Sequence, residues 1–259
     1  MVDSAPDAEP PDGLLGGRLR LYQPSSGHRA GTDAVMLAAA ARNAQGLIID
    51  MGAGVGTAGL AVALGAPAAT VRLVEIDPAL AELARRNILL NGLQTRATCF
   101  CADLLSPASR RAAGLVDAEA ELVLSNPPFY AAERVRSSPD AARRLAHVAP
   151  VANSQIEEFL SRWLRACVAH LAPHGRLLLI HRANAIGELL AGLQGRAGAI
   201  RLLPLHPRAD QPATRLLVSA VKGSRATPTL LPPLVLHEAD GRFTALAEAI
   251  HRGEASIGL

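Results

Sequence analysis

The sequence predicts an α/β fold: a mostly parallel seven-stranded sheet with an antiparallel C-terminal hairpin and helices on both faces. Three observations carry this expectation. Strand-like and helix-like segments alternate from Leu47 to Lys222, an order that produces parallel sheets. An apolar strand, Leu47–Asp50, runs into a turn with glycines at 52, 54 and 56, and a small-residue helix follows. Ile200–Leu205 and Arg215–Lys222 flank the loop His206–Thr214 as the two arms of a hairpin, which mixed sheets accept beside a parallel set.

Taken in order, residues 1–17 are rich in Pro, Gly, Asp and Ala and read as a disordered tail. Arg18–Tyr22 alternates as a short strand, Gln23–Gly31 reads as a loop, and Thr32 or Asp33 caps a helix over Ala34–Arg42. Residues 18–46 are thus expected to form an N-terminal extension that folds over the site. After the first strand come the helix Ala58–Leu64 and a second strand, Thr70–Ile76. Asp77 and Pro78 start the helix Ala79–Leu90, with proline in the first turn, where its missing N–H costs nothing. Asn91-Gly92 ends that helix in a left-handed cap.

Arg96–Cys101 is the third strand, Pro107–Gly114 a helix and Glu121–Ser125 the fourth strand. The segment Tyr130–Asn153 is long, weakly patterned and basic, and reads as a lid. Ser154-x-x-Glu157 is a capping box for an amphipathic helix, Gln155–Leu171, which Pro173-His174-Gly175 stops. The strand Arg176–His181 and the helix Ala185–Leu193 lead to the hairpin and complete a domain over 47–222. Residues 223–259, with short strands and a helix over Phe243–His251, form a C-terminal extension packed on it.

Composition excludes several classes. No apolar run approaches the roughly 18 residues that span a membrane, and Met1–Asp12 lacks the basic and apolar regions of a targeting signal. A cytoplasmic location follows. Cys99, Cys101 and Cys167 show no ligand spacing and read as core thiols, and the eight histidines form no cluster, so no metal is expected. The formal charge of +3 permits an RNA partner without requiring one.

The glycine turn by itself admits two cofactors. Gly54-x-Gly56-x-x-Gly59 satisfies a dinucleotide fingerprint with Glu75 at the distance of a ribose-binding acid, which keeps an NAD-dependent oxidoreductase as the alternative from another class. Three features favour S-adenosyl-L-methionine. Asp50 before the turn suits the ammonium of a zwitterion and would crowd a pyrophosphate. Asp103, ending the third strand, is placed to accept from an adenine amine. The stretch after the fourth strand offers no acid–base group for hydride transfer. Glu75 then accepts from both ribose hydroxyls.

Asn126-Pro127-Pro128-Phe129 is the strongest chemical signal. An exocyclic amine conjugated to a ring is a poor nucleophile because its lone pair is delocalised. Two acceptors on its N–H bonds, the Asn126 side-chain oxygen and the Pro127 carbonyl, favour pyramidalisation and turn the lone pair toward an electrophile. Consecutive prolines stiffen this array and remove competing donors. Phe129 offers a stacking face for the base, with Tyr130 beside it.

These residues resemble the amino-methyltransferase branch of the Rossmann-like class I S-adenosylmethionine-dependent enzymes, whose motif reads Asn-Pro-Pro-Tyr or Asn-Pro-Pro-Phe. Gln23-Pro24, Gly27-His28-Arg29, Thr32-Asp33-Ala34, the Asp50 glycine turn, Val74–Pro78 and Asn126–Tyr130 together resemble the bacterial tRNA1(Val) adenine-37 N6-methyltransferase family over roughly residues 18–222. The resemblance implies that Asp50, Gly52, Gly54, Gly56, Glu75 and Asp103 hold the cofactor. Thr32 and Asp33 would approach its methionine part, and Asn126, Pro127, Pro128 and Phe129 would bind the target adenine. Phe129 stands where many relatives have Tyr, which keeps the stacking face and loses a hydroxyl.

The implied partner is tRNA, acted on by a monomer or weak homodimer, with Arg29, Arg134, Arg136, Arg143 and Arg144 as leading candidates for phosphate contacts and Arg18, Arg20 and His28 beside them. Alternative acceptors are a glutamine amide of a translation release factor, guanine N2 of ribosomal RNA and adenine of DNA.

Overall fold

The computed structural model describes residues 10–24, 31–128 and 153–259, with the backbone alone for 153–157. The elements are β1 (Asp12–Leu14), β2 (Leu19–Leu21), α1 (Thr32–Ala40), β3 (Gly46–Met51), α2 (Thr57–Gly65), β4 (Ala69–Glu75), α3 (Pro78–Leu90), β5 (Ala97–Cys101), α4 (Pro107–Ala112) and β6 (Ala120–Ser125). Beyond residues 129–152 follow α5 (Asn153–His170), β7 (Leu171–Arg182), a 3-10 turn (Ala183–Ala185), α6 (Ile186–Leu193), β8 (Ala197–His206) and β9 (Arg215–Lys222). The chain ends with β10 (Thr229–Leu230), β11 (Leu234–Val235) and α7 (Ala245–His251).

The large sheet has the order β10–β8–β9–β7–β6–β3–β4–β5, with β11 also on β8. β5, β4, β3, β6 and β7 run parallel. β9 is antiparallel to both its neighbours and slots between β7 and β8. The seven expected strands are therefore present, and two short parallel strands extend the β8 edge. Each face carries its own apolar cluster. One is formed with α1, α2 and the C-terminal segment, the other with α5 and α6.

Two boundaries and one cysteine depart from the sequence reading. Asp12–Leu14 is not tail but pairs antiparallel with Leu19–Leu21. β7 begins at Leu171, because Pro173-His174-Gly175 forms an irregularity inside the strand, with His174 at φ 61°, rather than a helix stop. Cys101 is exposed on the edge strand β5, while burial pushes the thiols of Cys99 and Cys167 up to about 11 and 12. The lid over 130–152 and the side chains of the Ser154–Glu157 box lie outside the described residues. Among the described residues no helix is long and apolar enough to cross a membrane.

Candidate active site

Parallel order puts the carboxyl ends of β5, β4, β3, β6 and β7 on one edge of the sheet, where open α/β folds bind ligands. Asp50, the glycine turn, Glu75, Asp103 and Asn126-Pro127-Pro128 all meet there. The turn leaves β3 with Gly52, Gly54 and Gly56 at φ 77°, 56° and 92°, a region that costs a side-chain-bearing residue strain. A Cβ on Gly52 would lie 2.9 Å from the Trp163 ring, and one on Gly56 would lie 2.8 Å from Leu73. At Gly54 it would meet nothing within 4 Å. That open space lets a ligand approach bare backbone at the turn, and it fits the cofactor contact expected there.

The acids have more specific duties than the sequence revealed. Asp50 is 2% exposed, and its Oδ2 accepts from the Gly59 N–H at 2.8 Å, satisfying a free donor in the first turn of α2. Burial pushes its carboxyl up to about 7, the Glu75 charge adds to this, and the Gly59 bond opposes it. Glu75 Oε2 accepts from Gly54 N–H, and Oε1 accepts from Ile76 and Asp77 N–H, each at 2.8 Å. Burial still raises its pKa despite these three donors. They occupy most of the carboxylate's four or so acceptor positions, so ribose hydroxyls would have to share oxygens with backbone amides. Asp103 Oδ1 accepts from Leu105 N–H at 2.9 Å and fixes the loop after β5. Asp77 caps α3. Ile76, 42% exposed between these loops, is a bare apolar surface that an adenine ring would cover.

At the end of β6, Asn126 Oδ1 is buried without a hydrogen-bond partner among the described residues. Such an acceptor is uncommon in a folded chain and calls for an explanation. Pro127 beside it is buried. Behind them, the Trp163 indole N–H donates to Ser125 Oγ at 2.9 Å, and Ser125 Oγ–H donates to the Met51 carbonyl at 2.8 Å. Met51 and Ser125 form the last register pair of β3 and β6. This chain of bonds therefore ties the glycine turn to the Asn-Pro-Pro segment just where the ladder ends.

Thr32 and Asp33 open α1 at the same edge, but their side chains are engaged by protein. Thr32 Oγ1 lies 3.2 Å from His251 Nε2, and Asp33 Oδ2 accepts from Arg215 Nε at 2.8 Å. Phe129, Tyr130, Arg29, Arg134, Arg136, Arg143, Arg144 and His28 lie outside the described residues. Sequence reading gave no part in this bonding to Trp163, which was legible only as an apolar helix position, and named Ser125 only as the start of the Asn-Pro-Pro stretch.

Residues 29–155 match the family model of the methyltransferase small domain. A tRNA1(Val) (adenine(37)-N6)-methyltransferase of Porphyromonas gingivalis is 31% identical, over 83% of this chain and 84% of its own length. A release factor glutamine methyltransferase of Cereibacter sphaeroides is 29% identical, over 60% of this chain and 53% of its own. A crystal structure titled as a predicted O-methyltransferase from Agrobacterium tumefaciens superposes with TM-score 0.72 at 30% identity, covering 88% of this chain and 99% of that one.

Proposed function

From the premise that this chain belongs to the S-adenosylmethionine-dependent methyltransferases of the small-domain family, we propose that it methylates the N6 amine of an adenine in RNA. The specific target we infer is adenine 37 of a tRNA anticodon loop, after the relatives that match most of its length. The observation that carries this reading is the buried Asn126 Oδ1 at the end of β6, unpartnered among the described residues.

Bound at the glycine turn, S-adenosylmethionine supplies an electrophilic methyl on a sulfonium. The chain's own task is to present the nucleophile. Asn126 Oδ1 accepts one N–H of the target amine, the Pro127 carbonyl accepts the other, and the lone pair is turned out of conjugation. Orientation of this kind supplies several kcal/mol, and preorganised acceptors need not rearrange during reaction. Phe129 stacks on the base, which reaches the site already unstacked or extruded. A hydroxyl acceptor, as an O-methyltransferase would take, needs a base to remove its proton, and Asn126, Pro127 and Pro128 offer none. A glutamine amide presents the same NH2, so Asn126 does not discriminate against it; the greater shared length of the tRNA-modifying relatives favours RNA. The lid and loop arginines Arg29, Arg134, Arg136, Arg143 and Arg144 are proposed to meet the phosphates, in the cytoplasm where tRNA is found.

Tritiated S-adenosylmethionine incubated with total tRNA, then nucleoside analysis, tests this directly. Label in N6-methyladenosine is expected. Label in N2-methylguanosine, or only in a release factor offered in parallel, would overturn the assignment of the acceptor.

A further inference from the structure

Asn87 in α3 and Asn91, the C-cap of that helix, stand one turn apart, and both side-chain amides bind the backbone of β2 and of Tyr22 just after it. Asn91 Oδ1 accepts from Arg20 N–H at 2.9 Å, and its Nδ2 donates to the Arg20 carbonyl at 2.7 Å. Asn87 Oδ1 accepts from Tyr22 N–H at 2.7 Å, and its Nδ2 donates to the Tyr22 carbonyl at 3.0 Å. The spacings agree: four residues of helix rise about 6 Å and two residues of strand span about 6.6 Å. Each amide thus treats its strand residue as a neighbouring strand would.

Asn87 does one thing more. Its second Nδ2 hydrogen goes to the Val55 carbonyl at 3.0 Å. Val55 stands between Gly54 and Gly56, and its carbonyl shares a peptide plane with the Gly56 N–H, which closes the turn on Ala53 at 2.9 Å. Asn87 is fully buried, so water cannot replace these bonds. One amide therefore joins α3, the N-terminal strand and the turn where the cofactor is expected.

We propose that Asn87 is a positioning residue of the cofactor site, and that β2 with Tyr22 after it is a working part of that site, which rests on the cofactor lying at the glycine turn. Asn91 is the built-in comparison, because it grips the same strand without touching the turn; its second donor returns to the Asn87 carbonyl. If strand docking tightens the cofactor, the cofactor must tighten docking by the same factor.

The test uses the full chain with S-adenosylmethionine and needs no RNA, so it is independent of the acceptor. Calorimetry compares Asn87→Asp with Asn91→Asp, each of which keeps an acceptor and loses its donors. Asn87→Asp is expected to raise Kd about 10-fold, within the usual range of coupling between sites, and Asn91→Asp to leave it within about 2-fold. Equal weakening by both, or none by Asn87→Asp, overturns the proposal. In the unaltered protein, the cofactor should slow hydrogen exchange at the Tyr22 amide. That measurement decides the matter if Asn87→Asp fails to fold, and unchanged exchange there would overturn the proposal alone.

Discussion

A carboxyl enclosed like that of Asp50 makes stability depend on pH. Its folded pKa of about 7 stands above the ordinary 3.8, so the folded chain holds the proton more tightly than the unfolded one. Stability from this group is fully present below the unfolded value and is lost as pH rises through about 7. Asp50→Asn removes the titration while leaving an acceptor for Gly59. The cofactor-free variant should exceed wild type in stability at pH 8 by an amount on the order of a few kcal/mol, and the gap should shrink by pH 5 and close only below the unfolded value of 3.8. A gap constant across that range, in urea titrations at each pH, would mean that Asp50 is ionised throughout. Asn126 makes a different prediction. With its oxygen proposed to hold the acceptor amine, Asn126→Ala should cut kcat for methyl transfer roughly 100-fold or more, the cost of losing one preorganised partner. Cofactor Kd should stay within about 2-fold, and parallel loss of cofactor affinity would place Asn126 with the cofactor instead.

The glycine turn separates two reasons for needing glycine. Gly52 and Gly54 both sit in the left-handed region, where a side chain costs about 1–2 kcal/mol. Gly52 is also pressed by the Trp163 ring, whereas Gly54 faces open space. Gly52→Ala should therefore lower the melting temperature more than Gly54→Ala. Gly54→Ala should weaken cofactor binding by about 10-fold or more while remaining folded, because its methyl enters the space where the cofactor is expected. Undiminished affinity in Gly54→Ala would move the cofactor elsewhere. The turn itself was legible in sequence, since glycines at fixed offsets after an apolar strand report backbone conformation directly. So were α3, from Asp77-Pro78 and Asn91-Gly92, and the β8–β9 hairpin. β1 was not, because Asp12-Gly13-Leu14 is too short to show alternation and owes its form to its partner. Trp163 and Asn87 were illegible as site residues for a related reason: each acts through a partner distant in sequence, and no local period encodes that.

The C-terminal end of the chain converges on α1, which explains that helix's composition. Ala34–Ala40 are all buried, so α1 shows no polar face, and part of its cover comes from far away. α2 and β7 pack on it from within the domain. From the C-terminal segment, Ile257 N–H donates to the Ala39 carbonyl at 3.1 Å, and Arg42 donates to the Gly253 carbonyl. Ile257 and Leu259 are each 8% exposed and belong to the same apolar cluster as α1. The first turn of α1 is held by His251 and Arg215, so residues 223–259 stabilise the segment that faces the cofactor end of the sheet. Composition alone showed only an extension with prolines, because what it covers lies in another part of the chain. Deleting 253–259 removes two buried aliphatic side chains worth about 1.5–3 kcal/mol each, a large share of a typical stability of about 5–15 kcal/mol. The urea midpoint should fall sharply. Cofactor affinity should fall with it, since α1, proposed to face the cofactor, loses the cover that Ile257 and Leu259 give it, and added ligand should restore part of the midpoint by mass action. A truncated chain that unfolds at the wild-type urea concentration would show that α1 holds its place without the C-terminal segment.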